Sequence, residues 1–118
     1  MPAIDLLPRD LEIVRSILAR FVPGREVRMF GSRTSAKARR HSDLDLVVMT
    51  NRQLELDVYA GLKRAFSESS LPFKVDVLDE AVLAEEFRHR ILEGSVVVQE
   101  ATVFSEERGK RKQFLPSR

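Results

Sequence analysis

Cysteine is absent from this 118-residue chain, which excludes disulfides and thiolate metal sites. Histidine is scarce: His41 and His89 are the only two, and neither has a second ligand nearby in sequence, so no zinc site is expected. No run of about 18 apolar residues occurs, so no membrane-spanning helix is expected. The opening MPAIDLLPRD lacks a basic start followed by an apolar core and does not read as a secretion signal. Internal repeats and low-complexity linkers are missing as well. These absences are compatible with a reducing compartment, and a cytoplasmic location is expected.

A large net charge is also lacking, since the formal value is +2. What charge there is lies unevenly. Arg33, Lys37, Arg39, Arg40 and His41 crowd one segment, and Arg108, Lys110, Arg111 and Lys112 crowd another. Local basic clusters in a balanced chain suit anionic ligands at particular places, not a broad nucleic-acid footprint, so direct nucleic-acid binding is not expected. The plain alternative for each cluster is a solvated loop or tail.

Hydrophobic residues make up 43% of the chain, enough for the core of one compact domain. Pro8 suits a first helical turn, and Leu11, Val14, Leu18 and Phe21 form an apolar stripe, so a helix is expected from Pro8 to Phe21. Val27 to Phe30 reads as a short strand and Asp43 to Met49 as a second. Leu54, Val58, Leu62 and Phe66 recur every fourth residue, placing a helix over residues 53–66 with Thr50 or Asn51 as its cap. Phe73 to Leu78 is the third strand. Asp79 can cap the next helix, whose stripe is Leu83, Phe87 and Ile91 and which Gly94 closes. Ser95 to Gln99 is the fourth strand. The fold class is therefore α/β (α+β): one small mixed sheet with helices packed on it, over residues 1–104, followed by a charged tail, 105–118, expected to be flexible.

Chemistry concentrates at two strands. Side chains alternate along a strand, so Leu44, Leu46 and Val48 share one face while Asp43 and Asp45 share the other, roughly 7 Å apart at Cα. Two carboxylates so placed repel unless a cation lies between them. Mg²⁺ takes a few carboxylate oxygens together with substrate phosphates and water. On the third strand Phe73, Val75 and Val77 point one way, and Lys74, Asp76 and Leu78 the other. If the strands are neighbours, Asp76 joins Asp43 and Asp45 in a phosphoryl-transfer site. Gly31-Ser32 ends the first strand, where glycine allows close approach of a phosphate, and the Ser32 hydroxyl and N–H groups of the turn can bind its oxygens. Taken singly, a Gly-Ser turn, an Asp-x-Asp edge or a lone Asp76 is more often ordinary surface. Tyr59, inside a helical stretch, reads as packing.

The segment Gly31-Ser32-Arg33 through Ser42-Asp43-Leu44-Asp45-Leu46, with Val75-Asp76-Val77 further on, resembles the signature of the minimal nucleotidyltransferases of the DNA polymerase beta superfamily. Phe87 to Gly94 followed by Val96-Val97-Val98 is similar to the closing helix and strand of that family. The resemblance implies a nucleotidyltransferase fold and Mg²⁺-dependent transfer of a nucleoside monophosphate, commonly AMP from ATP, to a protein or small acceptor. It implies nucleotide contacts from Gly31, Ser32, Arg33 and Ser42. It implies metal ligands in Asp43, Asp45 and Asp76, with Asp76 completing the metal site or acting as general base. It also implies a protein partner, a helical toxin of the HEPN type, for which such short chains serve as antitoxins. Thr34 and Ala36 stand where the family usually has Ala and Gly. An alanine forced to φ > 0 costs on the order of 1–2 kcal/mol. The alternative is an antitoxin that neutralises its partner by complex formation with little or no catalysis. Exposed sheet edges leave a homo-oligomer open.

Overall fold

The computed structural model describes residues 4–34 and 43–102. Helix α1 spans Pro8–Phe21, and strand β1, Val27–Phe30, leads into a 3₁₀ turn at Gly31–Thr34. Strand β2, Leu44–Val48, is followed by α2, Leu56–Ser67, and β3, Val75–Asp79. A second 3₁₀ turn, Glu80–Val82, precedes α3, Glu85–Leu92, and β4, Val96–Gln99. The sheet order is β3-β2-β1-β4. Strand β1 is antiparallel to both β2 and β4, whereas β2 and β3 are parallel. A parallel pair needs a crossover, and α2 supplies it.

Alternation sorts the sheet into two faces. Val27 and Met29 lie opposite Val48 and Leu46, and Leu46 lies opposite Val77. These side chains pack with Val14 and Leu18 of α1 and Leu62 and Phe66 of α2 as the main core. The helices approach closely: a Cβ on Gly61 of α2 would stand 2.9 Å from the Phe21 ring of α1. On the other face, Arg28 pairs with Val47 and Phe30 with Asp45. Helix α3 covers part of that face near the end of β1, where its residues and Phe30 line one cavity.

Helix α1 and strand β1 fall where the hydrophobic pattern predicts, with Pro8 at the first turn. The start of α2 differs. It begins at Leu56 after an extended Glu55, and no side chain caps it. Thr50 and Leu54 are engaged elsewhere. Asp79 Oδ1 accepts from Thr50 Oγ1 at 2.5 Å, and Asp79 Oδ2 accepts from the Leu54 N–H at 2.7 Å. A carboxylate is the stronger acceptor, so it holds residues 50–54 as a loop across the end of β3. Asp79 does act as a cap, but of the 3₁₀ turn, through the Ala81 N–H. Helix α3 consequently starts only at Glu85, and Leu83 lies outside it. Gly94, at φ 79°, follows the last helical residues as expected of a C-terminal glycine. Tyr59 is committed to the fold: its ring packs against the core and its hydroxyl donates to the Val77 carbonyl at 2.9 Å.

Asp79 is 6% exposed and accepts three hydrogen bonds. Asp79→Ala is therefore expected to cost about 2–4 kcal/mol by leaving buried donors unpaired. Urea unfolding with an unchanged denaturant slope reads this loss. A loss below about 1 kcal/mol would show that the loop holds without the carboxylate.

Candidate functional site

The geometry of the site follows from one register. Strand β2 lies between β1 and β3, and Asp45 is directly opposite Asp76 on the parallel side and Phe30 on the antiparallel side. Directly opposed residues share a face, so the two carboxylates stand side by side, one strand spacing apart, away from the main core. Asp43 immediately precedes β2 and is exposed. Asp76 is half-buried, with its side chain 45% exposed, and Lys74 Nζ stands 3.7 Å from its Oδ1. The alternation of Lys74 and Asp76 already signals this pairing in the sequence. An ion pair this exposed is weak and readily exchanged.

Gly31 closes the third side. Its φ is +84°, and a Cβ built there would stand 2.6 Å from Asp45 Oδ2. Glycine is needed on both counts, the left-handed backbone and the close approach of the carboxylate. The turn Gly31–Thr34 thus starts against Asp45.

Arg33, expected at the nucleotide, lies in the turn that follows β1. It is 5% exposed, its guanidinium lies 4.3 Å over the Phe73 ring, and Nη1 donates to the Asp5 carbonyl at 3.1 Å. The Asp5 N–H in turn donates to the Arg33 carbonyl. Here the arginine ties the segment before α1 to the turn, and its aromatic partner is distant in sequence, which no local pattern reveals. The Ser32 hydroxyl, Ala36, Ser42 and the cluster Lys37, Arg39, Arg40 and His41 lie outside the described residues, as does the basic tail. His89 is 3.6 Å from Glu85 on the exposed side of α3, well apart from the carboxylates in the chain.

Electrostatics single out Asp45. Burial raises its pKa above the usual carboxylate range, and the charges of Asp76 and Asp43 raise it further. The donor set of hard oxygens, crowded and partly desolvated, fits a hard divalent cation, whose charge would offset both effects. Among the described residues no three acidic or histidine side chains already converge as a closed metal cluster. A hard cation at such oxygens would also take ligands from substrate and water.

A family model described as polymerase beta, nucleotidyltransferase matches residues 14–102. The chain is 44% identical over 97 residues to "Probable protein adenylyltransferase MntA" of Haemophilus influenzae, covering 82% of this chain and 85% of that protein. Its fold is similar to a toxin-antitoxin crystal structure with AMP-PNP, at a TM-score of 0.65 and 19% identity, covering 82% of this chain and 77% of the other. It is also similar to a complex of a tri-AMPylated Shewanella oneidensis HEPN toxin with its MNT antitoxin, at a TM-score of 0.59 and 18% identity, covering 84% and 76%. No helix among the described residues is long and apolar enough to cross a membrane.

A raised folded-state pKa means that the folded chain holds the Asp45 proton more tightly than the unfolded chain does. Asp45 then costs no stability below its unfolded value, about 3.9, and costs progressively more as pH rises through its folded value. In metal-free buffer, Asp45→Asn is expected to raise the melting temperature at pH 7. The gain should vanish as the pH falls below the ordinary carboxylate range. A variant that melts lower than wild type at pH 7 would contradict the strain assigned to this carboxylate.

Proposed function

The chain belongs to the polymerase beta nucleotidyltransferase family, and on that premise we propose that it is a protein adenylyltransferase acting as the antitoxin to a HEPN-type toxin. The observation that carries this reading is the register of Asp45 against Asp76 with Gly31 abutting Asp45. In this reading ATP is the donor, Mg²⁺ is the cation, and the pair works in the cytoplasm.

Asp43, Asp45 and Asp76 are the residues that would hold the cation. Once bound, it would neutralise phosphate charge and favour the leaving pyrophosphate. The Gly31–Thr34 turn binds the triphosphate through backbone N–H groups, and glycine keeps the approach open. An acceptor hydroxyl oxygen bonds to the α-phosphorus while the bond from that phosphorus to the β-phosphate bridging oxygen breaks. Pyrophosphate leaves with the electron pair. The hydroxyl proton passes to a carboxylate, and Asp76, with its side chain 45% exposed, is suited to take it. Tyr59, the chain's one tyrosine, is bound to the Val77 carbonyl, and the acceptor in this reading comes from outside. A tyrosine of the toxin is the acceptor proposed.

The test uses the chain, its HEPN partner, Mg²⁺ and labelled ATP. Label should move to the toxin, and Asp43→Ala/Asp45→Ala should lower transfer by at least about a hundredfold, as loss of charge stabilisation at a transferring group does. Transfer should also stop when the metal is chelated. Absence of transfer by the wild-type chain, with binding of the toxin unchanged in the double variant, would overturn the catalytic reading in favour of neutralisation by complex formation.

A further inference from the structure

One row of side chains crosses the sheet face opposite the main core: Phe30 on β1, Asp45 on β2 and Asp76 on β3. The carboxylates serve the phosphate end of a nucleotide. The aromatic end of the same row has no role in that chemistry. A cavity of about 320 Å³ opens beside it, between the end of β1 and α3, with Phe30, Gly31, Phe87 and Ile91 in its lining and Arg90 and Glu93 at its rim. Gly31 joins the two halves, because it lines this cavity and also abuts the Asp45 carboxylate.

Phe87 is the second feature. It is 45% exposed, and among the described residues it is the sole exposed aromatic. It lies on α3, whose sequence EEFRHRIL is otherwise dominated by charge, and Ile91, one turn further on, is buried. A ring held half in water at the mouth of a cavity is available for a flat apolar ligand. Phe30 provides a second aromatic surface in the same cavity. Neighbouring strands are about 4.8 Å apart, so Phe30 stands one strand from Asp45 and two from Asp76. A ribose and its α-phosphate bridge such a span.

We propose that the cleft lined by Phe30 and Phe87 receives the nucleobase of the nucleotide whose phosphates lie at Gly31 and the carboxylates. The inference rests on the nucleotidyl-transfer reading and adds the residues that hold the base. Stacking supplies the affinity, since every base presents a π-face to an aromatic ring. The exposed Arg90 and Glu93 provide a polar rim that the base edge can meet.

The full chain is titrated with ATP and, separately, with inorganic tripolyphosphate, both with Mg²⁺. Phe87→Ala should weaken ATP about tenfold, as loss of one stacked ring does, and leave tripolyphosphate unchanged. The chain contains no tryptophan, so Phe87→Trp installs a single fluorescent reporter. ATP should quench it at saturation, and tripolyphosphate should not. Unchanged ATP affinity in Phe87→Ala, equal weakening of both ligands, or no quenching by bound ATP in Phe87→Trp would overturn the base cleft. Those results leave the nucleotidyl-transfer reading standing. Failure of the wild-type chain to bind either ligand would overturn both.

Discussion

Asp45 occupies an interior strand of the sheet, in register with Asp76, and part of its carboxylate is withdrawn from water. A chain selected only for stability would put an apolar residue there, as it does at Val47 two residues on, which is fully buried on the same face. The crowding of like charge is a local cost that the remaining structure must offset. It also creates the oxygen-rich, partly desolvated spot at which a divalent cation is worth most. Stability and chemistry therefore pull in opposite directions at this residue.

Two devices keep the carboxylates in place. The main core anchors the opposite side chains of the same strands: Leu44, Leu46 and Val48 of β2, and Val77 of β3, are all buried in it. A one-residue slip would exchange these for the acidic set, so the register is strongly specified. At the far end of the parallel pair, Asp79 lies opposite Val48 and gathers Thr50 and Leu54 from the segment leaving β2. Glu80 adds to this by accepting from the Thr50 N–H and pairing with Arg88 of α3. The carboxylates at 79 and 80 thus stabilise the frame, while the one at 45 strains it.

The helices divide the sheet unequally. Helices α1 and α2 cover one face, which becomes the core. On the other, α3 lies near β1. The Gly31 turn stands between that helix and Asp45.

Much of this was legible in the residues alone. Helix α1 follows from Pro8 and a four-residue stripe, and the facing of Asp43 and Asp45 away from Leu44 and Leu46 follows from alternation. Both are properties of neighbouring residues. The side-by-side placement of Asp45 and Asp76 is not, because it depends on β2 and β3 being parallel neighbours in one register. The same limit hid the late start of α2, drawn off its expected cap by Asp79 from 29 residues away. It also hid the burial of Arg33 against the Phe73 ring. Sequence alone determined which side chains were chemically able to bind metal and phosphate; the tertiary structure decided which of them meet, because pairing and burial act between residues that the chain itself keeps far apart.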